Sequence, residues 1–134
     1  MEIEMDNKSE LKMLDIYFEK IAFSNNRKVG KTKLKAVNSV SFSMENNIET
    51  VRVTTTVSTE NDSVNLELIT VGKFEKPQSF SEDITKQILT KNTVSIMFPY
   101  IRSQVSLVTA QPGLAPIMLP PIDVNKLIDG TENK

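Results

Sequence analysis

Apolar and polar positions alternate with a period of two from residue 11 to residue 74, interrupted by polar turns, and then change to a helical period. Residues 11–24 read as a strand. Leu14, Ile16 and Phe18 share one parity, while Ile21 and Phe23 share the other. Side chains change face at every step, so the switch demands an extra residue near Glu19 and Lys20. This is a β-bulge or bend, with two shorter strands as the alternative. A polar turn at 25–31 reads as a basic hairpin loop and leads to a second strand over 33–44. There Leu34, Ala36, Val40, Phe42 and Met44 share one face and Ser39, Ser41 and Ser43 the other. The third strand, 48–58, alternates most regularly, with Val51, Val53, Thr55 and Val57 against Thr50, Arg52, Thr54 and Thr56. Turns at 45–47 and 59–62 bound it. The fourth strand, 63–74, points Val64, Leu66 and Leu68 inward. Short turns predict an antiparallel sheet with one face on a core and one polar face.

After Phe74 the period changes. Ser79 and Glu82 fit a capping box, which predicts a helix to about Lys91. Lys91, Asn92 and Thr93 weaken it before a second helical stretch, which stops at Gln111, Pro112 and Gly113. Pro99 kinks this stretch or sits in its first turn. Between Asn92 and Gln111 the only charged residue is Arg102. Val94, Met97, Phe98, Ile101, Val105 and Val108 form one apolar stripe. Ile96, Tyr100 and Leu107 lie on the opposite side, with Ser103 between them. Leaving those three apolar side chains in water forgoes roughly 1.5–3 kcal/mol each. The second face therefore predicts contact with another subunit.

Residues 114–121 are held extended by prolines yet carry Leu114, Ile117, Met118 and Leu119. Asp123 can cap a short final helix over 124–128. The expected architecture is α+β: a four-stranded antiparallel sheet, then a long kinked helix and a short C-terminal helix. Residues 1–10 and 129–134 read as a flexible arm and tail around a single domain at 11–128.

Composition narrows the function. The 134 residues carry a formal net charge of -1, so no basic field exists to attract nucleic acid. There is no cysteine and no histidine, which removes disulfides, thiolate catalysis, the usual general base and the commonest transition-metal ligand. No metal or cofactor site has credible ligand spacing. The acidic start lacks the pattern of a secretory signal, and no apolar run approaches membrane-spanning length. A soluble, cytoplasmic protein with no membrane insertion is the expectation. Gly30, Lys31 and Thr32 look like the end of a phosphate-binding loop, but Asn25 stands where that loop needs glycine and a strand follows instead of a helix. Glu45, Glu60 and Asp62 are the one carboxylate cluster an enzyme could use, and all sit at strand turns. The expectation is no enzyme.

Three places in the chain resemble the SecB export-chaperone family. Ile96-Met97-Phe98-Pro99-Tyr100-Ile101-Arg102 is similar to the family's apolar-Leu-Phe-Pro-Tyr-Ala-Arg signature. Leu119-Pro120-Pro121-Ile122-Asp123-Val124, with Leu127 and Ile128, resembles its proline-containing segment and the following apolar pair. Ile16, Tyr17, Ile21 and Phe23 resemble its first strand; Glu67, Gly72, Lys73 and Phe74 match the fourth more weakly.

The resemblance implies a homotetramer, a dimer of dimers packed through the long helices at Ile96, Tyr100, Ser103 and Leu107. It also implies a holdase that binds unfolded or precursor polypeptides without ATP. The apolar groove falls on Phe74 and Phe80 on one side and Ile117, Met118 and Leu119 on the other. Met and aromatic side chains suit many partners. Glu67 keeps one acidic position of the surface that contacts the translocase motor. Lys20 and Ser24 stand where acids are expected, and Asn65 replaces an apolar contact. Client holding is thus better supported than delivery. Two other roles compete: an oligomeric scaffold or adaptor for one folded partner, and a dedicated chaperone of the toxin–antitoxin type.

Overall fold

Tight turns order most of the sheet. In the computed structural model, which describes residues 11–28, 30, 32–75 and 82–124, the strands are β1 (Lys12–Asn25), β2 (Leu34–Glu45), β3 (Ile48–Thr59) and β4 (Val64–Glu75). A long helix follows, α1 (Glu82–Thr109). Asn46 and Asn47 both adopt positive φ, at 51° and 67°, and close the two-residue hairpin between β2 and β3. Primed turns of this kind match the twist of the flanking strands, and asparagine tolerates them. Between β3 and β4 the Thr59 hydroxyl accepts the N–H groups of Ser63 and Val64, both at 3.0 Å.

The sheet order is β1-β4-β3-β2, antiparallel throughout. This corrects the reading of residues 25–31 as a hairpin loop, because β1 and β2 occupy opposite edges. Crossing three strand spacings takes only about 14 Å. The eight residues between β1 and β2 reach well beyond that. Edge placement suits β1 because its ladder is interrupted twice, between Met13 and Asp15 and between Phe18 and Lys20. Glu19 is the extra residue of the second interruption, where the parity switch required one. The first, at Leu14, was not foreseen. It turns Leu14 out to solvent and Met13 onto the core, the reverse of the expected face.

The core lies between α1 and the two central strands. Val51, Val53 and Val57 of β3, Leu66, Leu68 and Phe74 of β4, and Val94, Met97, Ile101 and Val105 of α1 form it. At Gly72 a side chain is excluded: a Cβ there would stand 2.8 Å from Phe74 Cε1 and 2.9 Å from Met97 Sδ. The glycine lets ring and thioether close over β4. The helix covers the sheet's middle, leaving Ile21 of β1 and Leu34 and Met44 of β2 exposed at its edges.

One expectation for α1 needs correction, and one choice between alternatives is decided. Lys91, Asn92 and Thr93 do not weaken it; one 28-residue helix runs through them. Thr93 and Val94 are buried, and packing overrides weak propensity. Pro99 lies well inside the helix, not in its first turn. Its missing N–H leaves the Ser95 carbonyl without a helical partner, on a side where both residues face solvent. Gln111 to Leu114 then form a turn, with Leu114 N–H donating to Gln111 O at 2.9 Å and Gly113 at φ 79°. Beside it lies Arg27: its Nη2 is 2.9 Å from where a Gly113 Cβ would stand. The last turn of α1 holds no basic residue, so Arg27 brings a cation near the helix's negative end from another element. Asp123 precedes a helical start at Val124; residues 125–128, the Ser79 cap, the arm and the tail lie outside the described residues.

Candidate functional site

The segment after α1 is fastened to it by three polar side chains in one row. Arg102 Nε donates to Leu119 O at 3.0 Å, and Ser106 Oγ donates to Ile117 O at 2.9 Å. Thr109 Oγ1 accepts from Ile117 N–H at 2.8 Å and donates to Val105 O at 2.7 Å. Spacings of four and three put these residues along one line of the helix, between its two apolar faces. The prolines at 116, 120 and 121 keep the segment extended, so it meets the helix through its backbone.

Fastening 117 and 119 sorts the apolar side chains. Leu119 goes into the core with 4% exposure, whereas Met118 points out at 75%. Ile117 is half-buried against the core cluster. Between segment and helix runs an open groove of about 650 Å³, lined by Pro99, Arg102, Ser103, Leu107, Pro116 and Met118 among others. A smaller hollow of about 260 Å³ lies where residues 119–123 cross Ala36 and Asn38 of β2.

The expected groove residues therefore part company. Ile117, Met118 and Leu119 come together on one segment, but only Met118 presents most of its surface. Phe74 is fully covered. Phe80 lies outside the described residues. Ile96, Tyr100, Ser103 and Leu107 do share one exposed side of α1, and Leu107 is 69% exposed. Glu67 lies on the outer sheet face in an ion pair with Lys20. Asn65 is held by Asp62 Oδ1 at 2.9 Å. Near them, Arg52 grips Glu19 through Nε–Oε1 at 3.1 Å and Nη2–Oε2 at 2.8 Å.

The weaker chemical readings do not assemble. Glu45 precedes β3 while Glu60 and Asp62 follow it, so the whole length of that strand separates them. After Gly30 comes the strand β2, and the Thr32 hydroxyl accepts the Asn61 N–H at 3.0 Å.

Sequence reasoning missed the fastening row and Glu49. Arg102, Ser106 and Thr109 were legible as a polar line between two apolar stripes. Glu49 was legible too, since it shares parity with Val51 and Val53. It is 1% exposed, its cross-strand neighbours are Met44 and Phe74, and its Oε1 has no hydrogen-bond partner. Burial pushes its carboxyl up to about 7. A folded-state pKa above the unfolded value means that the folded protein binds the proton more tightly. Stability should therefore rise as pH falls from about 7 towards the ordinary carboxylate range, by at most about 3 kcal/mol. Urea unfolding of the native protein and of Glu49→Gln at pH 8 and pH 5 tests this: the gap between them should change by that amount.

A four-stranded antiparallel sheet carrying one long helix, with an apolar segment pinned alongside, defines the class of SecB-like chaperone folds. A SecB-like chaperone from Mycobacterium tuberculosis, solved with a peptide from an antitoxin, superposes with a TM-score of 0.72, covering 84% of this chain and 91% of that one at 14% identity. The chain belongs to the SecB family: the profile of the preprotein translocase subunit SecB matches residues 4–133. The protein-export protein SecB of Orientia tsutsugamushi is 32% identical over 103 residues, 75% of this chain and 63% of that one. An uncharacterised Methanocaldococcus jannaschii protein is 38% identical over 50 residues, 37% of this chain and 32% of its own length. The chain thus spans less than two thirds of the curated relatives it matches. Among the described residues no helix is long and apolar enough to cross a membrane.

Proposed function

We propose that the protein is an ATP-independent holdase that binds unfolded polypeptides as a homotetramer in the cytoplasm and catalyses no reaction. The observation that carries this reading is Met118: a large apolar side chain held out in solvent, by a segment pinned to α1, at the mouth of an open groove. A stiff wall needs little ordering when a chain binds, which limits the entropy cost. Many weak apolar contacts then add up without demanding one sequence. The exposed side of α1 is the proposed subunit contact; its Ser103 and Leu107 also line the groove, which therefore opens beside that contact. Family membership and the fold shared with a chaperone that takes a peptide support the reading.

Dilution of a denatured client gives the test. The native protein should suppress light scattering without ATP, and Met118→Asp should lose most of that protection while sedimenting as before. Leu119→Asp is unsuitable because it would bury an unpaired carboxylate in the core. No protection by the native protein would favour the scaffold.

One feature favours a second reading, a dedicated chaperone for a single partner. The Lys20–Glu67 ion pair neutralises the acidic position through which the family resemblance implies contact with the translocase motor. Capture of bound polypeptides from cells separates the two: a broad set for the general holdase, one protein for the dedicated form.

A further inference from the structure

The three fastening bonds all fall on residues 117 and 119. In an extended run, the backbone groups of neighbouring residues point to opposite sides. Ile117 turns its N–H and C=O towards α1, and Leu119 turns its C=O there. By the same alternation Met118 between them turns its own N–H and C=O away, and none of the described hydrogen bonds involves its backbone; its sulfur lies 3.3 Å from Ser106 Oγ, whose proton goes to Ile117 O. Proline at 116, 120 and 121 removes the neighbouring donors. The segment thus presents one outward donor–acceptor pair, in the register of a narrow β-bridge, next to its most exposed apolar side chain.

We propose that Met118 N–H and C=O form a two-bond β-bridge with an extended segment of the bound polypeptide, in a register set by Arg102, Ser106 and Thr109. The occupant is identified by complementarity. A free backbone pair flanked by non-donors matches an extended peptide backbone, which an unfolded chain offers along its whole length, whereas a helix has its own groups already bonded. Arg102 adds a second polar element: its Nε holds Leu119 O, while the guanidinium lines the groove beside Met118, where it can donate to a client carbonyl. Backbone pairing is indifferent to side chains, so it adds affinity without selecting a sequence. Arg102, Ser106 and Thr109 act as positioning residues. The inference rests on the holdase reading and specifies how the chain is gripped.

The probe is reduced, carboxymethylated α-lactalbumin, a permanently unfolded chain. With methionine-selective 15N labelling of the full-length protein, the Met118 amide should exchange with solvent at least tenfold more slowly when the probe is bound. Titration of two variants isolates the N–H: Met118→Ala keeps it, and Met118→Pro removes it as well as the side chain. Met118→Pro should bind about five- to tenfold more weakly than Met118→Ala, the worth of one backbone hydrogen bond. Unchanged Met118 exchange in the bound complex overturns the bridge, and this readout stands even if the proline variant fails to fold. Equal affinity of the two folded variants overturns it as well, leaving the holdase reading intact. Failure of the native protein to bind the probe at all would remove both.

Discussion

Phe74→Ala should lower the free energy of unfolding by about 3–5 kcal/mol, the usual cost of emptying a fully buried aromatic site. The ring has no exposed surface, shares a cross-strand row with Glu49, and closes with Met97 over Gly72. None of these neighbours can easily fill the space. The sheet backbone holds Gly72 in place, and Met97 is anchored on a buried helix face. Most of the loss should therefore persist as a cavity. Urea unfolding measures it. Beside it, titration with an unfolded client separates packing from gripping. A ring that packs gives a large stability loss with unchanged affinity at low temperature. A ring that grips gives the reverse.

On the proposed assembly, Leu107→Glu should convert the oligomer into smaller species in sedimentation, with the fold of the subunit retained. In the subunit Leu107 is largely solvated, so the new carboxylate costs the fold little. In an interface built from Ile96, Tyr100 and Leu107 the same carboxylate is buried and unpaired, at a cost of several kcal/mol. Far-ultraviolet circular dichroism should be unchanged while the sedimentation coefficient falls. A native protein that sediments as a monomer would leave this side of α1 for some other partner.

Much of this architecture is written in local pattern. The third strand is legible because β-branched residues alternate without a break and both its turns are polar. The two faces of α1 are legible because one arginine is the only charge across five turns. What escaped depends on distance. Nothing local says that β1 pairs with β4 and not with β2, since either edge would cover the same apolar parity. The burial of Leu119 beside an exposed Met118 is set by hydrogen bonds to side chains 11 and 17 positions earlier, from Ser106 to Ile117 and from Arg102 to Leu119. Residue type alone makes Leu119 and Met118 equals. Phe74 was assigned to a groove by resemblance, and its ring lies under α1 because Gly72 offers the space.

The pairing of β1 with β4 has a consequence during synthesis. Partners in that ladder are roughly 40 to 60 residues apart along the chain, while β2, β3 and β4 each meet their neighbour through a short turn. On the ribosome β1 emerges before the other strands, and its partner β4 is the last of them to follow. At translation speeds of about 5–20 residues per second, it waits several seconds for β4 to follow. Throughout that interval Ile16, Phe18, Ile21 and Phe23 lie unburied beside an unpaired strand edge. The nascent chain is, for those seconds, itself an aggregation-prone unfolded segment of the kind that a holdase binds.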